Sequence, residues 1–108
     1  MSQDIRNHAA EPIRPEARYI LDGPYGGELA GFFSQSMQQV DSRAAAERAI
    51  REQLDDARRY CDGIGSQWVL NSAADAVPND DGTLFAADGY PLGLYTIGPR
   101  GGLRWEEA

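Results

Sequence analysis

Apolar positions along the chain follow two rhythms, and the change falls near residue 62. In the first half the steps are three and four. Leu29, Phe32, Phe33, Met37 and Val40 share one helical face at that spacing, which predicts a helix over residues 28–40. Partial alternation over "LAGFFSQSM" leaves a strand as the alternative. A clearer helix is predicted over residues 42–61. Asp41 or Ser42 can cap it by accepting hydrogen bonds from the free amides of its first turn. Its buried stripe is Ala46, Ala49, Ile50, Gln53, Leu54, Ala57, Tyr60 and Cys61, broken in polarity only by Gln53. The other face is charged, with opposite signs four apart at Glu47–Arg51, Arg48–Glu52, Arg51–Asp55 and Asp55–Arg59. Gly63 then offers the left-handed cap that ends many helices.

Beyond that point the rhythm shortens. Residues 66–71, 82–88, 92–98 and 102–107 read as strands separated by tight turns, and "ARYILD" (17–22) adds an earlier one. The expected fold is α+β: two consecutive helices packed on a mostly antiparallel sheet. The C-terminal half and the short N-terminal strand form that sheet. Residues 1–16 are polar, with Pro12 and Pro15, and are expected to form a flexible arm ahead of a single domain over 17–108.

Two near-identical pentapeptides punctuate this pattern, "GPYGG" (23–27) and "GPRGG" (98–102). Glycine-rich loops can cradle phosphate, but neither copy fits the dinucleotide or Walker spacing, and the chain has no lysine to reach a phosphate. The C-terminal copy lies between two strands and predicts a hairpin turn. That turn would set Tyr95 and Ile97 against Trp105 and Leu103 on one face. The N-terminal copy is expected to be a turn too, with a residual claim on an anion at the start of the first helix.

Composition narrows the picture. At 108 residues and 42% hydrophobic, the chain suits one domain with one core. A lone cysteine, Cys61, rules out an intrachain disulfide. Neither a signal-peptide apolar core nor an 18-residue apolar run occurs, so a soluble, cytoplasmic protein is expected, without membrane association. The net charge is −7, and all ten cations are arginine. Residues 1–61 hold eight arginines against ten acids, whereas residues 62–108 hold two against seven. Such a balance opposes direct binding to nucleic acid, which requires cations on the protein.

Candidate chemistry is sparse. "VPNDDGTLFAAD" places Asn79, Asp81 and Asp88 at three calcium-loop positions, but Val77 stands at the first ligand position and no helix follows. Cys61 ends a helix, where the dipole disfavours a thiolate, and fits the buried stripe better than catalysis. His8, the only histidine, lies in the arm. Neither cofactor nor metal is expected. Trp68, Phe85, Tyr90, Tyr95 and Trp105 are expected to be mostly core, with Tyr90 the best candidate for a partner anchor.

These observations favour a non-catalytic protein-binding or inhibitor protein of prokaryotic or phage type. Its acidic face would dock on a basic, even nucleic-acid-binding, surface of a partner protein. The expected contact residues are Asp80, Asp81, Asp88, Tyr90, Glu106 and Glu107. Toxin-immunity proteins and phage inhibitors of host nucleases share this general profile, a likeness that rests on no motif. The alternative is a self-associating subunit, a homodimer or an accessory part of a larger complex, using "ELAGFFSQSM" and the arm. A small hydrolase using two carboxylates is the third reading.

Overall fold

Seven strands and one α-helix organise residues 11–108, the part of the chain that the computed structural model describes. The strands are β1 (Tyr19–Tyr25), β2 (Ser36–Val40), β3 (Gln67–Ser72), β4 (Ala76–Pro78), β5 (Leu84–Ala87), β6 (Gly93–Ile97) and β7 (Leu103–Glu107). The helix, α1, spans Arg43–Ala57. Five strands form an antiparallel sheet in the order β2-β1-β3-β6-β7, and β4 and β5 pair separately as a small hairpin. The fold is α+β.

One face of the sheet carries the core. Register alignment puts Leu21 opposite Leu70, Trp68 opposite Tyr95, and Tyr95 opposite Trp105. Residues that face each other across an antiparallel pair share a side. Ala46, Ile50 and Ala57 of α1 close over this face, and Leu54, Ala49 and Cys61 pack at its margin. Ser42 starts the helix as expected, its hydroxyl accepting the Ala45 N–H at 3.0 Å. Gln53, the polar break in the stripe, accepts the indole N–H of buried Trp68 at 3.1 Å. Tyr60 departs from the expected stripe. The helix stops at Ala57, so helical periodicity no longer aims Tyr60 inward, and it stacks on Phe32 at 5.4 Å with 67% of its surface exposed. Gly63 takes a φ of 75°, a few residues beyond the helix end. Among the described residues the ion pairs of α1 are Arg43–Glu47 and Arg58–Asp55, and none of the four expected pairs is among them.

The expected first helix is replaced by a short 3-10 turn, Glu28–Gly31, followed by strand β2. One turn suffices to bury Leu29 and bring Phe33 against the core, while Phe32 remains half exposed. From Ser36 the backbone gains more by pairing with β1, from Gly23 to Tyr19, than by continuing a coil through Gly31 and Ser34. The sheet therefore contains a strand from 28–40 as well as the N-terminal strand, and only one helix lies on it. "GTLFAAD" was also expected in the meander. It pairs instead with Ala76–Pro78, outside the main sheet.

Both pentapeptides turn out to be structural. Across "GPRGG" the Gly98 N–H bonds to Gly102 O and the Gly101 N–H to Gly98 O, and Gly101 adopts φ 83°. The hairpin sets Tyr95 against Trp105 and Ile97 against Leu103. "GPYGG" extends β1 across a register shift and leads to a 3-10 turn rather than an α-helix. The amides of Glu28 and Leu29 are already bonded to Ile64 O and Ser66 Oγ, so the residual anion site is not formed there.

Of the segment expected to be an arm, residues 11–16 are described and lie against the domain. Pro12 bridges to Thr83, Glu11 O accepts from Leu84 N, and Gln39 bonds to both Glu11 and Pro12. His8 lies outside the described residues.

Candidate protein-binding surface

The six residues singled out by sequence fall into two groups, tied to opposite edges of the sheet. Asp80 and Asp81 occupy the tip of the β4–β5 hairpin. That tip leans on Pro12 and Ile13, which lie against Gln39 in edge strand β2. Glu106 and Glu107 lie on β7, the other edge strand. Four strand spacings separate the two edges, about 19 Å. Asp81 is occupied within its own turn. It accepts both the N–H and the hydroxyl of Thr83, and these bonds lower its carboxyl below the ordinary aspartate value. The calcium-loop alignment thus maps onto a hairpin, with Asp88 at the far end of β5 from Asp81. No three acidic, histidine or cysteine side chains converge as metal ligands among the described residues.

Tyr90 sits in the loop between β5 and β6, at the other end of β5 from that tip. The loop is fixed at both ends. The Asp88 N–H bonds to Asp75 O at 2.8 Å, and the Leu92 N–H bonds to Leu70 O at 2.8 Å. Leu92 O in turn accepts the Ala108 N–H at 3.1 Å. Pro91 adds a fixed φ between the anchors. From this clamped loop Tyr90 projects with 94% of its surface exposed, and Leu92 is 41% exposed. Pro91 shares a hollow of about 350 Å³ with Val69, Leu94, Glu106 and Glu107. The fold thus joins the Tyr90 loop to Glu106 and Glu107 and leaves Asp80 and Asp81 elsewhere. Phe85, beyond the loop on β5, is 62% exposed.

Beneath Glu107 lies a cluster that sequence reading found only in part. Trp105 lies over Gly93, where a Cβ would stand 2.2 Å from the far edge of its ring. The Arg43 guanidinium covers the other side of the indole at 3.9 Å from its centroid. Arg43 Nε also donates to the Tyr95 hydroxyl at 3.2 Å, and that hydroxyl donates to Glu47 at 3.1 Å. Burial raises the Tyr95 phenol above its ordinary value, against the opposing effect of Arg43. Of this cluster, the sequence showed the Tyr95–Trp105 pair across the hairpin. Its arginine comes from 52 residues away in the chain and could not be found locally.

Further hollows lie among the described residues. One, about 530 Å³, runs between Arg14, Arg18 and Ala74 on the face away from α1. The second, about 280 Å³, lies between Leu54, Arg58, Cys61 and Arg100. No α-helix among the described residues is long and apolar enough to cross a membrane. No protein-family model matches the chain, and neither the curated proteins nor the solved structures compared with it give a match.

Proposed function

We propose that the protein is a non-catalytic binding or inhibitor protein that docks on a basic surface of a partner protein through the Asp88–Leu92 loop and the adjoining end of β7. The observation that carries this reading is Tyr90, 94% exposed on a loop clamped at both ends. A large aromatic side chain held outward on an anchored loop loses little freedom on binding, which makes it an efficient interface anchor. Asp88 shares its loop, and Glu106 and Glu107 line a hollow with neighbouring Pro91; their negative charge would steer a cationic partner and disfavour acidic ones. Asp80 and Asp81 add only longer-range attraction, screened within about 10 Å at ordinary salt. An inhibitor of a nucleic-acid-binding protein, or an immunity protein for a basic toxin, fits this surface.

The test is photo-crosslinking from position 90, with a benzophenone side chain in place of tyrosine, in an extract of the protein's own cells. Position 51 on the exposed face of α1 serves as the control. We expect one crosslinked protein of basic charge, lost at about 0.5 M salt and lost on Asp88→Arg. No crosslink, or one unmoved by salt and by Asp88→Arg, would contradict the proposal.

A further inference from the structure

The two edges of the sheet are finished differently. On β2 the outward backbone groups of Gln39 are covered. Its N–H faces the Glu11 carboxylate at 3.4 Å and its C=O accepts from the Arg14 guanidinium at 2.8 Å. Side chains that cap an edge in this way block addition of a further strand. No such cover lies on β7 among the described residues.

The hydrogen-bond phase of the last hairpin shows what that open edge presents. Gly98 bonds to Gly102 at one end of the ladder, and Ala108 bonds to Leu92 at the other. Alternation between these ends makes Thr96–Arg104 and Leu94–Glu106 the hydrogen-bonded pairs. The N–H and C=O groups of Leu103, Trp105 and Glu107 therefore point away from the sheet. A second copy of the chain, added antiparallel about a two-fold axis, sets outward groups against outward groups when it centres on any residue of β7. Centred on Arg104 or on Glu106, that residue faces its own charge. Centred on Leu103, Arg104 faces Gly102 of the other copy. Centred on Glu107, that residue faces its own negative charge and Glu106 faces Ala108. Centred on Trp105, each Arg104 faces Glu106 of the other copy, twice, on the sheet face away from α1.

That register also satisfies the backbone. The Trp105–Trp105 pair and both Leu103–Glu107 pairs become hydrogen-bonded, giving about six new bonds. Arg104 and Glu106 then fall at the non-bonded positions, where side chains approach most closely. Both are exposed, and neither belongs to an ion pair among the described residues. Trp105 leans inward over Gly93 and does not obstruct the edge. We infer that β7 is a self-association edge: two copies pair antiparallel through Leu103–Glu107, centred on Trp105, and form one continuous ten-stranded sheet, held in register by two Arg104–Glu106 ion pairs. The inference goes beyond the binding reading and narrows it: in the dimer Glu106 is paired with Arg104 and the β7 edge is occupied, so Asp88 and Tyr90 are the groups of each copy left to face a basic partner.

Light scattering at roughly 100 μM and low salt tests it. The unaltered chain should show twice its 11.8 kDa mass. Arg104→Glu and Glu106→Arg each set like charges opposite one another at two places and should weaken dimerisation roughly tenfold or more. Mixing these two variants restores opposite charges across the axis, and a heterodimer should form at once. The exchanged chain Arg104→Glu/Glu106→Arg should dimerise alone. Glu107→Pro removes an outward N–H that makes no bond among the described residues, so it should fold and remain monomeric. A mass of 11.8 kDa for the unaltered chain, or a dimer insensitive to these substitutions, would overturn the inference.

Discussion

Replacing Gln53 by methionine should destabilise the protein through Trp68. The indole is 1% exposed, and its N–H is donated to Gln53 Oε1 at 3.1 Å. Methionine keeps the length of the side chain and the helix propensity but offers no comparable acceptor. The buried N–H then loses its partner, at about 1–3 kcal/mol. For a domain of this size, about 2 kcal/mol lowers Tm by roughly 8–16 °C. Urea unfolding followed by circular dichroism measures the loss. The reasoning is sharpened by Trp68→Phe, which costs packing of its own but removes the donor. In that background Gln53→Met should cost under about 0.5 kcal/mol, because no N–H is left unpaired. Equal costs in the two backgrounds would refute the role assigned to Gln53.

The features legible in the sequence were those written locally. Ser42 ahead of an amphipathic run fixed the start of α1, and "GPRGG" between two alternating segments fixed the last hairpin. Residues 28–40 misled because Leu29, Phe32 and Phe33 satisfy a helical spacing with one 3-10 turn. The remainder is decided by pairing with β1, a non-local contact. Tyr60 failed for a related reason, since periodicity was carried past a helix that had ended. At the candidate surface the residue types were readable but their grouping was not. Whether Asp81 and Glu106 share a surface depends on non-local contacts: the hairpin carrying Asp81 is tied through Pro12 and Gln39 to edge strand β2, and Glu106 lies on β7, the other edge. Arg43 stacks on Trp105 across most of the chain, beyond the reach of local pattern.

Other consequences can be measured directly. Gly93→Ala forces a methyl group into the edge of Trp105 and should cost about 1–3 kcal/mol in urea unfolding, whereas the same change at exposed Gly102 should cost little. Ser42→Ala removes the N-cap acceptor of α1 and should cost about 1 kcal/mol. Burial, then the hydrogen bond and charge of Asp22, push the Tyr25 phenol up to about 12. Its folded value thus exceeds the unfolded value near 10, so its contribution to stability is complete below about pH 10 and is lost as pH rises through 12. In a phenolate absorbance titration, Tyr25→Phe should remove a component near pH 12, and Asp22→Asn should move it down.

The central claim is that Tyr90 anchors a basic partner, and the most direct measurement is the affinity of Tyr90→Ala for the protein crosslinked from position 90. An exposed side chain contributes little to the fold, so the variant should unfold like the original chain. Its affinity should fall by about 2 kcal/mol, close to thirtyfold, with the salt dependence unchanged. An affinity within about twofold of the original would contradict the claim.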